Sequence, residues 1–417
     1  MPDIIKVLWI SDILFPEICQ ELEIKSRPIG GWIRSYAMSV VKDEHIKLAI
    51  ASPYNGTVLK IIEKNNIIHY LFPYTKSIWK YDSKLEIVFK EIQSIFNPNI
   101  VHIHGTEYSY GLAYINSCGS KNVVASIQGL ANVYKDYYYA GMTFFDVLKN
   151  TTLRDIVKNK TIFHGYYSMK KRGINEINTI KRLENIIGRT TWDKVHVKAH
   201  NSKIKYHFCN ENLRAEFYNN SWSYDKCENF SIFVSQSAYP LKGLHQLLKS
   251  LPLILKRFPD TKVYIAGFKM INRGYKTDGY GKYINSLIKK YRLSTIVNFT
   301  GELNEVEMCQ MYIKSNVFVL PSSIENSPNS IGEAQILGLP VVASYVGGVP
   351  DMIENGKTGY LYRFEDFEFL AELVCKVFEN GVNNMLSTNE KKISSKRHDS
   401  NYNAKELINI YSSILSL

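Results

Sequence analysis

The sequence predicts an α/β chain of two domains, each a parallel sheet covered by helices on both faces. Three observations predict it: short apolar runs alternate with amphipathic helical stretches, the alternation breaks once near the middle, and it restarts near Phe230. The 417 residues are too many for one ordinary core and suit two domains of roughly 200 residues. Apolar residues make up 45% and charged residues 22%, which excludes a disordered chain. No apolar run reaches the roughly 18 residues of a membrane span. The first residues read as a strand, not a cleavable leader. Six scattered cysteines without a CxxC argue against zinc or disulfides and suit a reducing cytoplasm.

The first domain is expected over 1–225. Lys6–Ile10 reads as its first strand, followed by a loop with Gly30-Gly31 and a helix over Trp32–Val41. Further strands are expected at Ile46–Ser52, Ile100–His104 and Val123–Ile127, with a helix over Lys84–Phe96. From Tyr134 the rhythm breaks, and two or three helices rich in aromatic and basic residues, near 134–189, look like an addition to this domain. The second domain is expected over 226–385. Its strands are Ser231–Ser235, Lys262–Ala266, Ile296–Thr300, Val317–Leu320 and Val341–Ser344. Its helices are Gly243–Phe258, Lys282–Tyr291, Asn304–Ser315 and Ser330–Leu337. A terminal helical segment over 386–417 is expected to pack back on the first domain.

The stretch most able to carry chemistry runs from Val317 to Glu333. A buried strand ends at Pro321, a short loop holds Glu325, and a helix begins near Ser330, with Asn329 or Ser330 as its N-cap. Ligands of parallel sheets bind beyond the carboxyl ends of strands, and a helix N-terminus offers free N–H groups that suit a diphosphate. Glu325 and Glu333 could then accept hydrogen bonds from a sugar and a ribose. Taken alone, the pair reads equally well as a solvated loop residue and a first-turn glutamate favoured by the helix dipole.

The surrounding residues resemble a known family. Glu325-x7-Glu333, Ala334, Gly338, Pro340, Gly347-Gly348-Val349-Pro350 and Gly356-x-Thr358-Gly359 resemble the donor-site signature of the family 4 glycosyltransferases. These are retaining enzymes of the GT-B fold, with two facing Rossmann-like domains and a cleft between them. Tyr239–Gly243 and Val297–Gly301 extend the resemblance, which covers about residues 230–365 well. It implies that Glu325 contacts the donor sugar and Glu333 the ribose. The backbone groups of Asn329, Ser330 and Ile331 would face sugar or diphosphate, and Lys242 would neutralise the leaving group. Gly301 would lie beside the nucleobase and Gly31 by the donor phosphate. The arginine often found five residues before the lysine is Ser237 here, and a frequent second histidine is Gln128. His104, at the end of its strand, is a candidate catalytic group and equally a structural histidine. Gly30, Gln128, Arg189 and Asp193 are weaker acceptor-side candidates, and the Ile187–Asp193 run serves equally as packing within the first domain.

The resemblance implies a UDP- or GDP-sugar donor as substrate, no cofactor and no metal. The net charge of +12 favours an anionic partner, and the segment Tyr134–Arg189 holds eleven basic against five acidic residues. This segment reads either as a helical pair with a solvated face or as a surface for anionic lipid. The second reading fits a saccharide acceptor linked to polyprenyl diphosphate, in capsule, O-antigen or exopolysaccharide assembly at the inner face of the cell membrane. No nucleic-acid motif accompanies the charge. A nucleotide-sugar epimerase, a non-catalytic scaffold and a storage-polysaccharide or sucrose-type synthase remain as alternatives.

Overall fold

A computed structural model describes residues 4–26, 30–74, 76–77, 79–267, 274–381 and 384–416. The chain divides into two compact units. The first comprises 1–133, 168–213 and 398–417; the second comprises 134–167 and 214–397.

The first unit holds an eight-stranded sheet. Its strands are β1 (Ile5–Ile10), β2 (Ile46–Tyr54), β3 (Lys60–Lys64), β4 (Ile67–Pro73), β5 (Ile100–His104), β6 (Val123–Ser126), β7 (Asn185–Gly188) and β8 (Lys205–Phe208). Their order is β3-β4-β2-β1-β5-β6-β7-β8, parallel throughout except for the β3–β4 pair. The central strands are apolar on both faces because helices cover both. Alternate residues of β1 go to opposite layers. Leu8 and Ile10 pack with helices Lys84–Phe96 and Ser109–Cys118, whereas Val7 and Trp9 pack with helices Gly31–Val40 and Ser400–Leu415.

The last helix closes this core with a polar tie as well as apolar contacts. The Tyr411 hydroxyl accepts from Trp9 Nε1 at 2.9 Å and sits 2.6 Å from His102 Nδ1. Its single proton is then free for Nδ1, which leaves His102 Nε2–H to donate to Ser126 Oγ at 2.6 Å.

The second unit holds a six-stranded, fully parallel sheet. Its strands are β9 (Ser231–Val234), β10 (Lys262–Ala266), β11 (Val297–Gly301), β12 (Val317–Leu320), β13 (Val341–Ser344) and β14 (Tyr360–Tyr362), in the order β11-β10-β9-β12-β13-β14. β12 lies parallel to β13 with Val319 opposite Val342.

The aromatic and basic segment corrects the expected domain plan. Residues 134–167 cluster with the second unit, not the first. Met142, Val147 and Ile162 enter the second unit's apolar core. The buried Asp155 accepts the Gly279 N–H at 2.7 Å, and His245 Nε2 lies 2.8 Å from the Ala140 carbonyl. The division falls after Leu213, about a dozen residues earlier than the composition change near 226 suggests.

Candidate functional site

The residues around Glu325 are held by backbone packing that glycine alone permits. β12 ends at Leu320, and the loop beyond it carries Ser322, Ser323 and Glu325, all buried. The Glu325 carbonyl accepts the Gly348 N–H at 3.1 Å. A Cβ on Gly347 would stand 1.9 Å from that carbonyl oxygen, so no larger residue fits there without moving the loop. On the other side, the Ser323 N–H donates to the Leu241 carbonyl at 2.8 Å. This ties the loop to the short 3-10 helix Pro240–Lys242. Gly243 closes that turn with φ of 66°, and a Cβ there would stand 1.6 Å from the Pro321 carbonyl oxygen.

These constraints bring Lys242 and Glu325 together. Lys242 Nζ donates to Glu325 Oε1 at 2.6 Å, and Ser322 Oγ donates to the same oxygen at 2.8 Å. Burial alone would lower the lysine pKa, but Glu325 outweighs it and the pKa is raised, so Lys242 stays a cation. The helix Asn329–Leu337 follows. Its N-cap is Pro328, with no side-chain cap, so neither Asn329 nor Ser330 plays the capping part expected of it. The chain enters the helix one residue early because Pro328 fixes φ at −71° ahead of the first turn. Of the three backbone N–H groups expected to face a ligand, that of Ile331 already donates to the Pro328 carbonyl at 3.0 Å.

Glu333 lies in the second turn, with a partner that no local pattern names. Arg214 grips both its oxygens, with Nε donating to Oε1 at 2.6 Å and Nη2 to Oε2 at 2.7 Å. Burial acts to lower the arginine pKa, and Glu333 raises it further than burial lowers it. Ser237, in the loop after β9, is buried with its hydroxyl unpaired. Gly301 ends β11 with φ of 85°.

The first-unit candidates form separate groupings. Gly30 caps the helix Gly31–Val40 in the left-handed region. His104 is buried with neither ring nitrogen hydrogen-bonded, and its ring stacks on His102 at 4.0 Å. Burial first, then His102 and Arg189, pushes its pKa far below the usual imidazole range, so it is neutral at physiological pH. Gln128 Nε2 donates to Glu211 Oε1 at 2.7 Å, and Arg189 pairs with Glu211 while donating to the Ile127 carbonyl at 2.9 Å. Asp193 is fully buried, accepting from the Arg189 N–H at 3.0 Å and the Tyr206 hydroxyl at 2.6 Å. Within this unit, Arg189 and Asp193 thus join β7, β8 and the helix Thr191–His200.

Two parallel-sheet α/β domains with such a strand-end loop define a GT-B protein. Residues 215–406 match the glycosyl transferases group 1 family. Spore coat protein SA of Bacillus subtilis is 30% identical over 181 residues, covering 41% of this chain and 45% of that protein. The capsular polysaccharide biosynthesis glycosyltransferase CapM of Staphylococcus aureus is 26% identical over 178 residues, covering 42% of this chain and 43% of CapM. The chain thus spans under half the length of these curated relatives. Among solved structures, a sucrose-phosphate synthase from Thermosynechococcus elongatus superposes with a TM-score of 0.75 at 14% identity, covering 99% of each chain. Anabaena HepE in complex with UDP-glucose superposes with a TM-score of 0.66 at 14% identity, covering 98% of this chain and 99% of HepE. At this identity the two structures establish the fold alone.

Proposed function

We propose that the protein transfers a sugar from a UDP- or GDP-sugar to a saccharide acceptor, with retention at the anomeric carbon, in surface-polysaccharide assembly. One observation carries the reading: the buried Lys242–Glu325 pair lies on loops at the strand ends, followed by a helix whose N-terminus has no side-chain cap. A fixed cation and free helix N–H groups stabilise a departing diphosphate, and a preorganised charge of this kind is usually the largest catalytic contribution. Glu325 would accept hydrogen bonds from the donor sugar, and Glu333, held by Arg214, from the ribose diol. HepE, whose structure was solved with UDP-glucose, supports this donor class.

For the chemistry we propose a front-face displacement. The acceptor hydroxyl approaches on the side the diphosphate leaves, and the leaving phosphate oxygen takes its proton. Lys242 supplies the charge that a divalent metal gives in other transferases, so activity should survive EDTA. The neutral His104 does not serve as a proton acceptor of ordinary strength. The test is a thermal-shift screen of UDP-, GDP- and ADP-sugars, followed by NMR of the product's anomeric configuration. A stabilising UDP- or GDP-sugar and a retained anomer support the reading. Absence of any nucleotide shift, or an inverted product, would sink it.

The acceptor is proposed to be lipid-linked, with the enzyme docked on the cytoplasmic face of the membrane. No helix among the described residues is long and apolar enough to cross a membrane. The helices Phe144–Asn150 and Leu153–Val157 nevertheless expose Phe144, Phe145, Leu148, Leu153, Ile156 and Val157, with Leu153 at 82% and Val157 at 81%. The two acids of this pair are turned to structural use. Asp146 completes a capping box with Thr143, and Asp155 is buried. Lys149, Lys158 and Lys160 remain beside the apolar residues, a pattern that suits anionic headgroups.

A further inference from the structure

The second unit contains a cavity of about 390 Å³ that the donor chemistry leaves unused. Tyr137, Phe364, Phe367, Gln246 and the half-buried Lys249 are among its lining residues. Ser323 borders it too, two residues before Glu325, and its hydroxyl lies 3.2 Å from the Tyr137 carbonyl. Gln246 stands in the first turn of the helix Leu244–Arg257, 4% exposed, and its Oε1 has no hydrogen-bond partner. An unpaired buried amide oxygen costs about 1–3 kcal/mol, which a ligand hydroxyl would relieve.

We infer that this cavity, which borders the donor loop at Ser323, is an auxiliary saccharide-binding site holding one sugar ring of a glycan. Aromatic faces suit the C–H face of a pyranose, Gln246 Oε1 accepts from a hydroxyl, and Lys249 donates to ring or hydroxyl oxygens. A phosphate is a poor fit, because the carboxylates of Asp136 and Glu365 share the lining. A purely aliphatic ligand would leave the Gln246 oxygen unpaired. Five of the eleven lining residues come from the 134–167 segment, outside the span matched by the family, so that segment helps to build the site. The inference goes beyond the proposed transfer and does not require it.

The test is saturation-transfer difference NMR on the full chain, with saturating UDP present. The probes are the methyl glycosides of glucose, galactose, N-acetylglucosamine and glucuronic acid. At least one glycoside should bind, and Gln246→Leu and Tyr137→Ala should each weaken it about tenfold. Tyr137 is exposed, so its variant keeps the experiment readable if Gln246→Leu fails to fold. Binding should persist in Glu325→Gln at a temperature where its melting curve shows the second unit folded. Silence from all four glycosides, signals that survive both pocket variants, or signals lost in Glu325→Gln would each overturn the site. The UDP thermal shift of each variant reports separately on the donor reading.

Discussion

Buried without a counter-ion, the Lys242 ammonium would lose much of its preference for the charged form. With the Glu325 carboxylate at 2.6 Å its pKa is raised despite burial. Glu325→Gln should therefore lower the transfer rate by about 10² to 10³, as for loss of one preorganised charge-stabilising group. It should also destabilise the second unit, since stranding one member of a buried pair costs about 3–5 kcal/mol. Turnover and denaturant midpoints check the two effects. Gly347→Ala acts through the backbone instead. Its Cβ would collide with the Glu325 carbonyl, and φ at 51° adds strain. Nucleotide affinity measured by calorimetry should fall about tenfold or more, since a loop misplaced by about 1 Å loses that much. Glu325, Lys242 and the glycines were legible because their order and spacing lie within short stretches of chain. Arg214 was not assigned a role, because only packing brings it to Glu333 from 119 positions away. The neutrality of His104 was equally hidden, since burial sets it.

At the scale of elements, the 134–167 segment depends on His245. Its ring lies 2.8 Å from the Ala140 carbonyl and 3.0 Å from the Tyr280 hydroxyl. Burial lowers its pKa to about 4, against 6.5 for the ordinary group. The unfolded chain therefore takes up a proton first as the pH falls. The stabilisation is complete above pH 6.5 and is lost as the pH drops through 4. His245→Gln should be less stable at neutral pH, but its stability should fall less steeply between 6.5 and 4. The difference in slope is about 1.4 kcal/mol per pH unit, read from urea titrations at a series of pH values. On the same segment, replacing Phe145, Leu153 and Val157 by serine should reduce flotation with anionic liposomes while leaving the melting temperature within a few degrees. Unchanged flotation would remove the membrane reading. Strand and helix periods were easy to read here and elsewhere: Lys84–Phe96, Ile100–His104 and Val317–Leu320 fall where the pattern puts them. What periodicity lacks is an address. Nothing in the local pattern of Met142, Val147 or Ile162 says which core receives them, and they enter the second.

At the scale of the whole molecule, residues 398–417 complete the first unit although they follow the second in sequence. Truncation after Arg397 removes Leu407, Ile410 and Tyr411 from the face of the first sheet and strands the Trp9 and His102 side chains. Calorimetry should then show the first unit's transition lost or lowered by ten degrees or more, roughly what several kcal/mol implies for a unit of this size. A transition raised by UDP should remain, since ligand at about 100 times its Kd adds about 2.7 kcal/mol. The parallel-sheet class could be read from alternating apolar runs; the expected return of 386–417 had no such pattern behind it, and 386–397 cluster with the second unit. The hairpin of β3 and β4 and the membership of 134–167 could not be read, because these depend on pairings that a linear pattern does not encode.

That interleaving has a consequence for synthesis. The second unit has all its parts once residue 397 has left the ribosome, whereas the first still waits for the helix Ser400–Leu415. An eight-stranded sheet with one layer only partly covered, by the helix Gly31–Val40, must persist while the second unit is translated. During that interval Trp9, Ile33 and Tyr36 lack their cover from that helix, so the first unit is begun before the second and completed after it.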